Sequence, residues 1–347
     1  MKKSKAIIVL LLVLSLVVVF ISDIGIVKAE PKTIVVPDDY VSIQEAIDNA
    51  LEGDTIYVKS GMYHENLGVN KSLSLIGEDI DTTIIDGNPP EGYRVPITIH
   101  DCDNVSVSGF KLLYGYAGVQ IWSVKNCNIS GNRIAGGQHG IKMSSSENNN
   151  ITGNIFESIG GSSAIQLSSS TNNLVNRNYI DSCVEGIQIW QGSDNNIVSE
   201  NTIKNCKNYA IMFKYSNSNT ITRNNITDSG YGTSIYVSNM NTISNNNYVN
   251  NSEQFIANEW YALTFGYNVS VNTINENYWN DYNGNDANGD GIGDSPYVID
   301  ENNQDNNPLI EPSVIPEFPS WTPLLIMLVA VMFVAVIYKR RLRPQTN

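Results

Sequence analysis

Residues 118–134 read GVQIWSVKNCNISGNRI, and close copies follow at 140–156, 164–180, 186–203, 210–226 and 234–248. An asparagine returns at Asn132, Asn154, Asn178, Asn201, Asn224 and Asn246, in steps of 22 to 24 residues. A degenerate earlier copy ends at 105–112, with Phe110 in the asparagine slot. The unit is too short for a propeller blade, which needs about 40 residues. Within each unit short runs alternate, with Ile187 and Ile189 on one side and Gln188 and Trp190 on the other, which is strand periodicity. No amphipathic helix emerges between 55 and 280. Short strands repeated at this period predict an all-β parallel β-helix, a solenoid whose coils rise about 4.8 Å each. Apolar side chains would stack inward and the asparagines would bond coil to coil.

An open solenoid must be capped. Residues 42–53, SIQEAIDNALEG, predict the N-terminal cap: Ser42 and Glu45 form a capping box, Ile43, Ala46, Ile47, Ala50 and Leu51 an apolar helical face, and Gly53 the stop. The chain then divides into a signal peptide (1–29), the cap (30–55), the β-helix (56–280), an Asp/Asn-rich segment (281–312), a linker (313–320), a transmembrane helix (321–338) and a basic tail (339–347). Lys2, Lys3 and Lys5 before an apolar run, with Val27 and Ala29 at the cleavage positions, make the signal; an uncleaved anchor is the alternative. The run 321–338 is just long enough to span a bilayer, and Lys339, Arg340, Arg341 and Arg343 place the C-terminal end in the cytoplasm. The residues between are expected outside the cell, tethered to the membrane.

Four of the 21 basic residues precede residue 30 and four come after residue 338, whereas of the 35 acidic residues only Asp23 lies outside that interval. The intervening segment thus carries 13 basic against 34 acidic residues, a net charge of −21. Such a surface repels nucleic acid and polyanions and draws divalent cations.

Three groups of residues carry candidate chemistry. Trp122 and Trp190 hold equivalent outward positions, with Ser144 and Ser168 between them, and Gln120, Gln166 and Gln188 lie two residues earlier in their coils. Indole faces beside amides suit a sugar ring and its hydroxyls, although each Trp could equally cover an apolar edge. In DANGDGIGD (286–294), Asp286, Asn288, Asp290, the Ile292 carbonyl and Asp294 match the early positions of a calcium loop, with Gly291 at the sharp turn. Position 12 is Tyr297 rather than Glu, so Asp281, Asp300 or Asp305 would complete a structural Ca2+ site; an Asp/Gly turn with solvated charges is the alternative. Cys183 and Cys206 hold the same place in successive coils, predicting a coil-to-coil disulfide. Cys102 and Cys127 are one register out, leaving a disulfide and buried thiols both open. Sequons stand at Asn70, Asn104, Asn128, Asn150, Asn225, Asn250 and Asn268.

The block 33–87 is similar to the start of right-handed β-helix proteins of the NosD type, and the repeats resemble the NosD or CASH domain of the pectin-lyase-like superfamily. The closing stretch 277–312 resembles the last coil of archaeal NosD-like surface proteins. PEFPS (316–320), an apolar span and a basic cluster together resemble a PEF-type sorting signal. That resemblance implies recognition of Pro316, Glu317 and Phe318 by an archaeosortase, in place of a plain transmembrane anchor. The superfamily hosts unrelated activities, so the fold alone implies none. The catalytic motifs of pectin methylesterases are missing, and the predicted outer wall of Gln120, Lys142, Gln166, Gln188, Met212 and Tyr236 lacks the carboxylate pair of a glycosidase. Lys142 or Lys214 would have to serve as base in a lyase. Copper, which the NosD name implies, is not expected: His64, His100 and His139 are scattered, and Met143, Met212 and Met240 read as generic apolar residues. The expected function is non-catalytic binding of a carbohydrate or cell-surface polymer. A polysaccharide lyase or hydrolase, a purely structural or adhesive role, and a copper-related accessory role are the alternatives.

Overall fold

The computed structural model describes residues 30–87, 95–257 and 263–315. The signal peptide, the 321–338 span, the basic tail and the motif Pro316, Glu317 and Phe318 lie outside the described residues. Among the described residues no helix is long and apolar enough to cross a membrane.

The repeat forms a parallel β-solenoid with three faces, whose described strands make sheets of 13, 9 and 10 members. One coil shows how the sequence does this. Asn128–Ser130 lies in the 13-stranded sheet, Arg133–Ala135 in the 10-stranded sheet, and His139–Ser144 in the 9-stranded sheet. Each strand pairs in parallel with its counterpart in the next coil, as in Ile129 with Ile151 and Ile134 with Phe156. The inward residues stack in columns that exclude water. One runs Ile134, Phe156, Ile180, Ile203, Ile226, Tyr248 and Trp279, all essentially buried.

Corners turn on single residues in the left-handed region. At one corner Gly131 (φ 61°) and Gly153 (φ 64°) give way in later coils to Arg177 (φ 52°), Glu200 (φ 55°) and Arg223 (φ 57°). A side chain there pays a steric cost. It is offset in part by the coil-to-coil bond that the position fixes, Arg177 N–H to the Ser199 carbonyl, and by the Arg177–Glu200 ion pair at 2.7 Å.

Beside these corners the recurring asparagines form a directional ladder. Asn178 Nδ2 donates to Asn201 Oδ1 at 3.0 Å and to the Ile151 carbonyl of the preceding coil at 2.9 Å, and the same Oδ1 accepts from Asn178 N–H. Phe110 offers only its N–H, which donates to Asn132 Oδ1. At the other end Asn277 donates to Asp305 Oδ2, a fully buried carboxylate that also accepts from Trp279 Nε1. A second asparagine column (Asn149, Asn173, Asn196, Asn219, Asn241, Asn272, Asn303) closes on Asp300, and a serine column runs from Ser146 to Ser270.

The cap helix α1 spans Ile43–Asn49, shorter than the sequence reading: Ala50 caps it, and Leu51 is exposed rather than on an apolar face. Ser42 Oγ accepts from Glu45 N–H as expected. The free amides of Ile43 and Gln44 are taken at 3.0 Å by Glu65, a carboxylate from a later loop. The first coil already begins in the cap, because Thr33–Val36 pairs with Thr55–Val58. The segment 281–312 likewise adds to the solenoid: Gln304–Asp305 joins the 13-stranded sheet at Ile274, and Tyr297–Val298 pairs antiparallel with it.

Cys183 and Cys206 are free thiols, which corrects the expected disulfide. They do share a column, but each Sγ turns to a carbonyl two residues earlier in its own coil, Asp181 and Lys204. Cys102 and Cys127 are free as well.

A candidate binding face on the nine-stranded sheet

The longest strands among the described residues are six residues each, at 117–122, 139–144, 163–168, 185–190, 209–214 and 231–236, and they lie side by side in the nine-stranded sheet. Their alternation is broken once. Near the start of each strand a small residue (Gly118, Gly140, Ala164, Gly186, Ala210, Gly232) faces the core, so a third outward row begins just before it. A Cβ at Gly186 would lie within 2.3 Å of the Ala210 carbonyl oxygen, which keeps that position small.

Three rows therefore face out. The far row follows the expected register, Trp122 beside Ser144, then Ser168, Trp190, Lys214 and Tyr236. The middle row is Gln120, Lys142, Gln166, Gln188, Met212 and Ser234. The near row, which sequence reasoning missed, is Ala117, His139, Ser163, Glu185, Tyr209 and Tyr231. His139 is thus a strand residue, the first of its strand.

The glutamines point outward but are not open to solvent: Gln120, Gln166 and Gln188 are 8%, 6% and 7% exposed. Longer side chains on both edges enclose them. Lys142 Nζ reaches across to the Tyr116 hydroxyl and lies 4.7 Å from its ring, and Tyr116 meets His139 edge-on at 5.3 Å. Tyr209 stacks on Tyr231 at 5.2 Å and bonds the Tyr236 hydroxyl at 3.0 Å, bridging the near and far rows. Gln166 Nε2 donates to Gln188 Oε1. Trp122, by contrast, is 47% exposed.

Within this enclosed strip three polar atoms are buried without a partner: Gln120 Oε1, Glu185 Oε2 and Ser234 Oγ. Burial raises the Glu185 carboxyl above its usual range. Burial, reinforced by Lys142, lowers His139 to about 4, so the ring is neutral at pH 7. Its Nδ1 lies 3.3 Å from Ser163 Oγ.

The loop 286–294 lies at the far end of the solenoid. Asp286 accepts from the amides of Gly289, Asp290 and Gly291, Asp290 from that of Ile292, and Asp294 from that of Ala287. Asn288 and Asp290 bond each other. Ile292 bridges Leu309, which ties the loop to the end of the described chain.

A three-faced parallel solenoid with an enclosed outer strip is a β-helix of the pectin-lyase-like type. The model of the NosD family, described as periplasmic copper-binding protein, matches residues 47–284, and the chain belongs to that family. A cell surface glycoprotein of Methanothermus fervidus is 36% identical over 116 residues, which is 33% of this chain and 18% of that protein. The solved surface adhesin PfbA of Streptococcus pneumoniae has the same fold, with a TM-score of 0.55 at 14% identity over 70% of this chain and 75% of its own. The alginate lyase of a Paenibacillus strain aligns at a TM-score of 0.48 and 14% identity, over 71% of this chain and 95% of its own.

The residues do not fit copper. Among the described residues no three His, Cys, Asp or Glu side chains converge. His64 pairs with Asp86, His100 with Asp101, and His139 with Ser163. Burial pushes the thiols of Cys102 and Cys183 up to about 11, so the thiolate that copper prefers is disfavoured.

Proposed function

We propose that the outer face of the nine-stranded sheet binds a carbohydrate or surface polymer without chemically altering it, and that the protein works at the cell surface. The carrying observation is the set of partnerless buried atoms, Gln120 Oε1, Glu185 Oε2 and Ser234 Oγ, lying between two aromatic edges. A buried polar atom left unpaired costs about 1–3 kcal/mol, which a sugar hydroxyl would recover. The rings of Trp122, Trp190, Tyr209 and Tyr231 supply stacking faces beside them. Hydrolysis is disfavoured because Glu185 is the one carboxylate in the three rows between Ala117 and Tyr236, and glycosidases use two. Replacing Trp122 and Trp190 together with Ala should reduce retention on the best-bound glycan of an array at least about tenfold, since exposed aromatic anchors dominate such sites. Unchanged retention would leave a structural or adhesive role.

Calcium at 286–294 is a separate proposal, supported by the spacing of its oxygen-bearing residues. In this arrangement the carboxylates are held by loop amides rather than converging, so no function is routed through the ion. Calorimetric titration with calcium should give heat in the native protein and none after Asp290→Ala; a silent native titration removes calcium.

A further inference from the structure

Of the three partnerless members of the binding face, Glu185 alone is ionisable. It stands in the near row beside Ser163, its register partner. The bond from Asn208 N–H to the Val184 carbonyl sets Asn208 opposite Glu185 in the next coil, with Tyr209 next along that strand, where burial, Tyr236, Tyr231 and then the Glu185 carboxylate raise the Tyr209 hydroxyl above its usual range. Its Oε2 is buried and has no hydrogen-bond partner. No lysine of the face answers it. Lys142 is committed to the Tyr116 hydroxyl and ring, and Lys214 lies over the rings of Tyr215 and Tyr236 at 5.6 and 5.8 Å.

A carboxylate with one oxygen withdrawn from water and unpaired is costly, and the cost is removed by a donor that brings a positive charge. The surroundings favour that kind of donor. Tyr209 and Tyr231 stack at 5.2 Å, Tyr231 lies on the following coil of the same row, and Tyr236 meets Tyr209 edge-on at 6.4 Å. Tyrosine faces attract ammonium groups through the ring quadrupole. Glu253 continues the row beyond Tyr231, so the row carries carboxylates on both sides of the ring pair. The chain as a whole is strongly acidic, with a formal net charge of −14. A neutral hydroxyl would satisfy Gln120 and Ser234 but would leave the charge of Glu185 unbalanced.

We propose that Glu185, with the rings of Tyr209 and Tyr231, forms a subsite for a protonated amine on the bound sugar, so that the preferred ligand is an oligomer of amino sugars with free ammonium groups. This rests on the reading of the face as a carbohydrate-binding surface.

The test compares a glucosamine hexamer with its fully N-acetylated counterpart, by calorimetry on the native protein and on Glu185→Gln and Glu185→Asp, with a lysine hexapeptide as a third probe. The native protein should bind the free-amine hexamer about tenfold tighter than the acetylated one, the scale of one charge-assisted bond. Glu185→Gln, which keeps shape and removes charge, should bring that ratio to about one, and Glu185→Asp should retain part of it. Equal or tighter binding of the acetylated hexamer by the native protein overturns the amine subsite while leaving carbohydrate binding in place. Binding of neither hexamer overturns both, and binding of the lysine peptide alone assigns the subsite to protein amines and overturns the sugar assignment.

Discussion

His139 shows how much of this protein's pH response is placed in one side chain. It is 5% exposed, its ring lies edge-on to Tyr116 at 5.3 Å, and burial together with Lys142 lowers it to about 4. The unfolded chain holds its proton up to about pH 6.5. Folding therefore releases a proton between these values, and the stabilisation linked to neutral His139 is complete above about pH 6.5. It is lost progressively as the pH falls toward 4, amounting to about 3 kcal/mol in all. Denaturation measured across this window should show that decline, and His139→Gln should flatten it; an equal slope in both proteins would mean that other groups govern it. The side chain itself was visible in the sequence, but its setting was not. A histidine after GGQ reads as a turn residue, and only the inward-facing Gly140 reveals that the strand has already begun.

The ladders were the most legible elements, because an asparagine at a fixed period has one economical use in stacked coils. Their direction was not legible. Each amide donates forward to the next coil, so each member is acceptor to one neighbour and donor to another. Asn201→Ala should cost about 2–4 kcal/mol, because the amides of Asn178 and the Val175 carbonyl lose partners in a buried site. Asn201→Asp, nearly isosteric, should cost more, since it turns an oxygen toward Asn224 Oδ1 and the Val175 carbonyl where a donor stood. Thermal unfolding of the two variants checks this, and an aspartate as mild as alanine would contradict the forward polarity. The third outward row escaped the sequence reading for a related reason. Strict alternation places residue 186 opposite residue 187, but both face inward, and the row of His139, Ser163, Glu185 and Tyr209 emerges only from that irregularity. The disulfide failed for the opposite reason: matching positions in successive coils fix the spacing of two thiols, but each thiol turns to a carbonyl of its own coil.

The whole molecule depends on closing both ends of a core that would otherwise be exposed in cross-section. Helix α1 does this at the start. At the other end three rings lie in parallel, Tyr248, Trp279 and Tyr297, with centroids 4.5 and 4.4 Å apart and planes within 6°. Tyr297 belongs to the segment that also carries the loop 286–294, so the acidic loop is fastened to the last ring of the stack. Tyr297→Ala should destabilise the protein by about 2–3 kcal/mol and favour association through the uncovered Trp279, whereas Tyr297→Phe should retain most of the stability. Thermal melting and light scattering measure the two effects; a neutral alanine variant would assign closure elsewhere. The forward polarity of the ladders has a consequence for how such a protein changes length. One column begins at Phe110, which gives only its backbone N–H, and ends at Asp305, which only accepts. Every unit between is donor and acceptor in equal measure, so a duplicated unit inserted there leaves neither terminus unpaired. The molecule is in this sense a ruler with fixed ends, free to gain or lose graduations of about 4.8 Å, and its binding strip would lengthen or shorten by the same step.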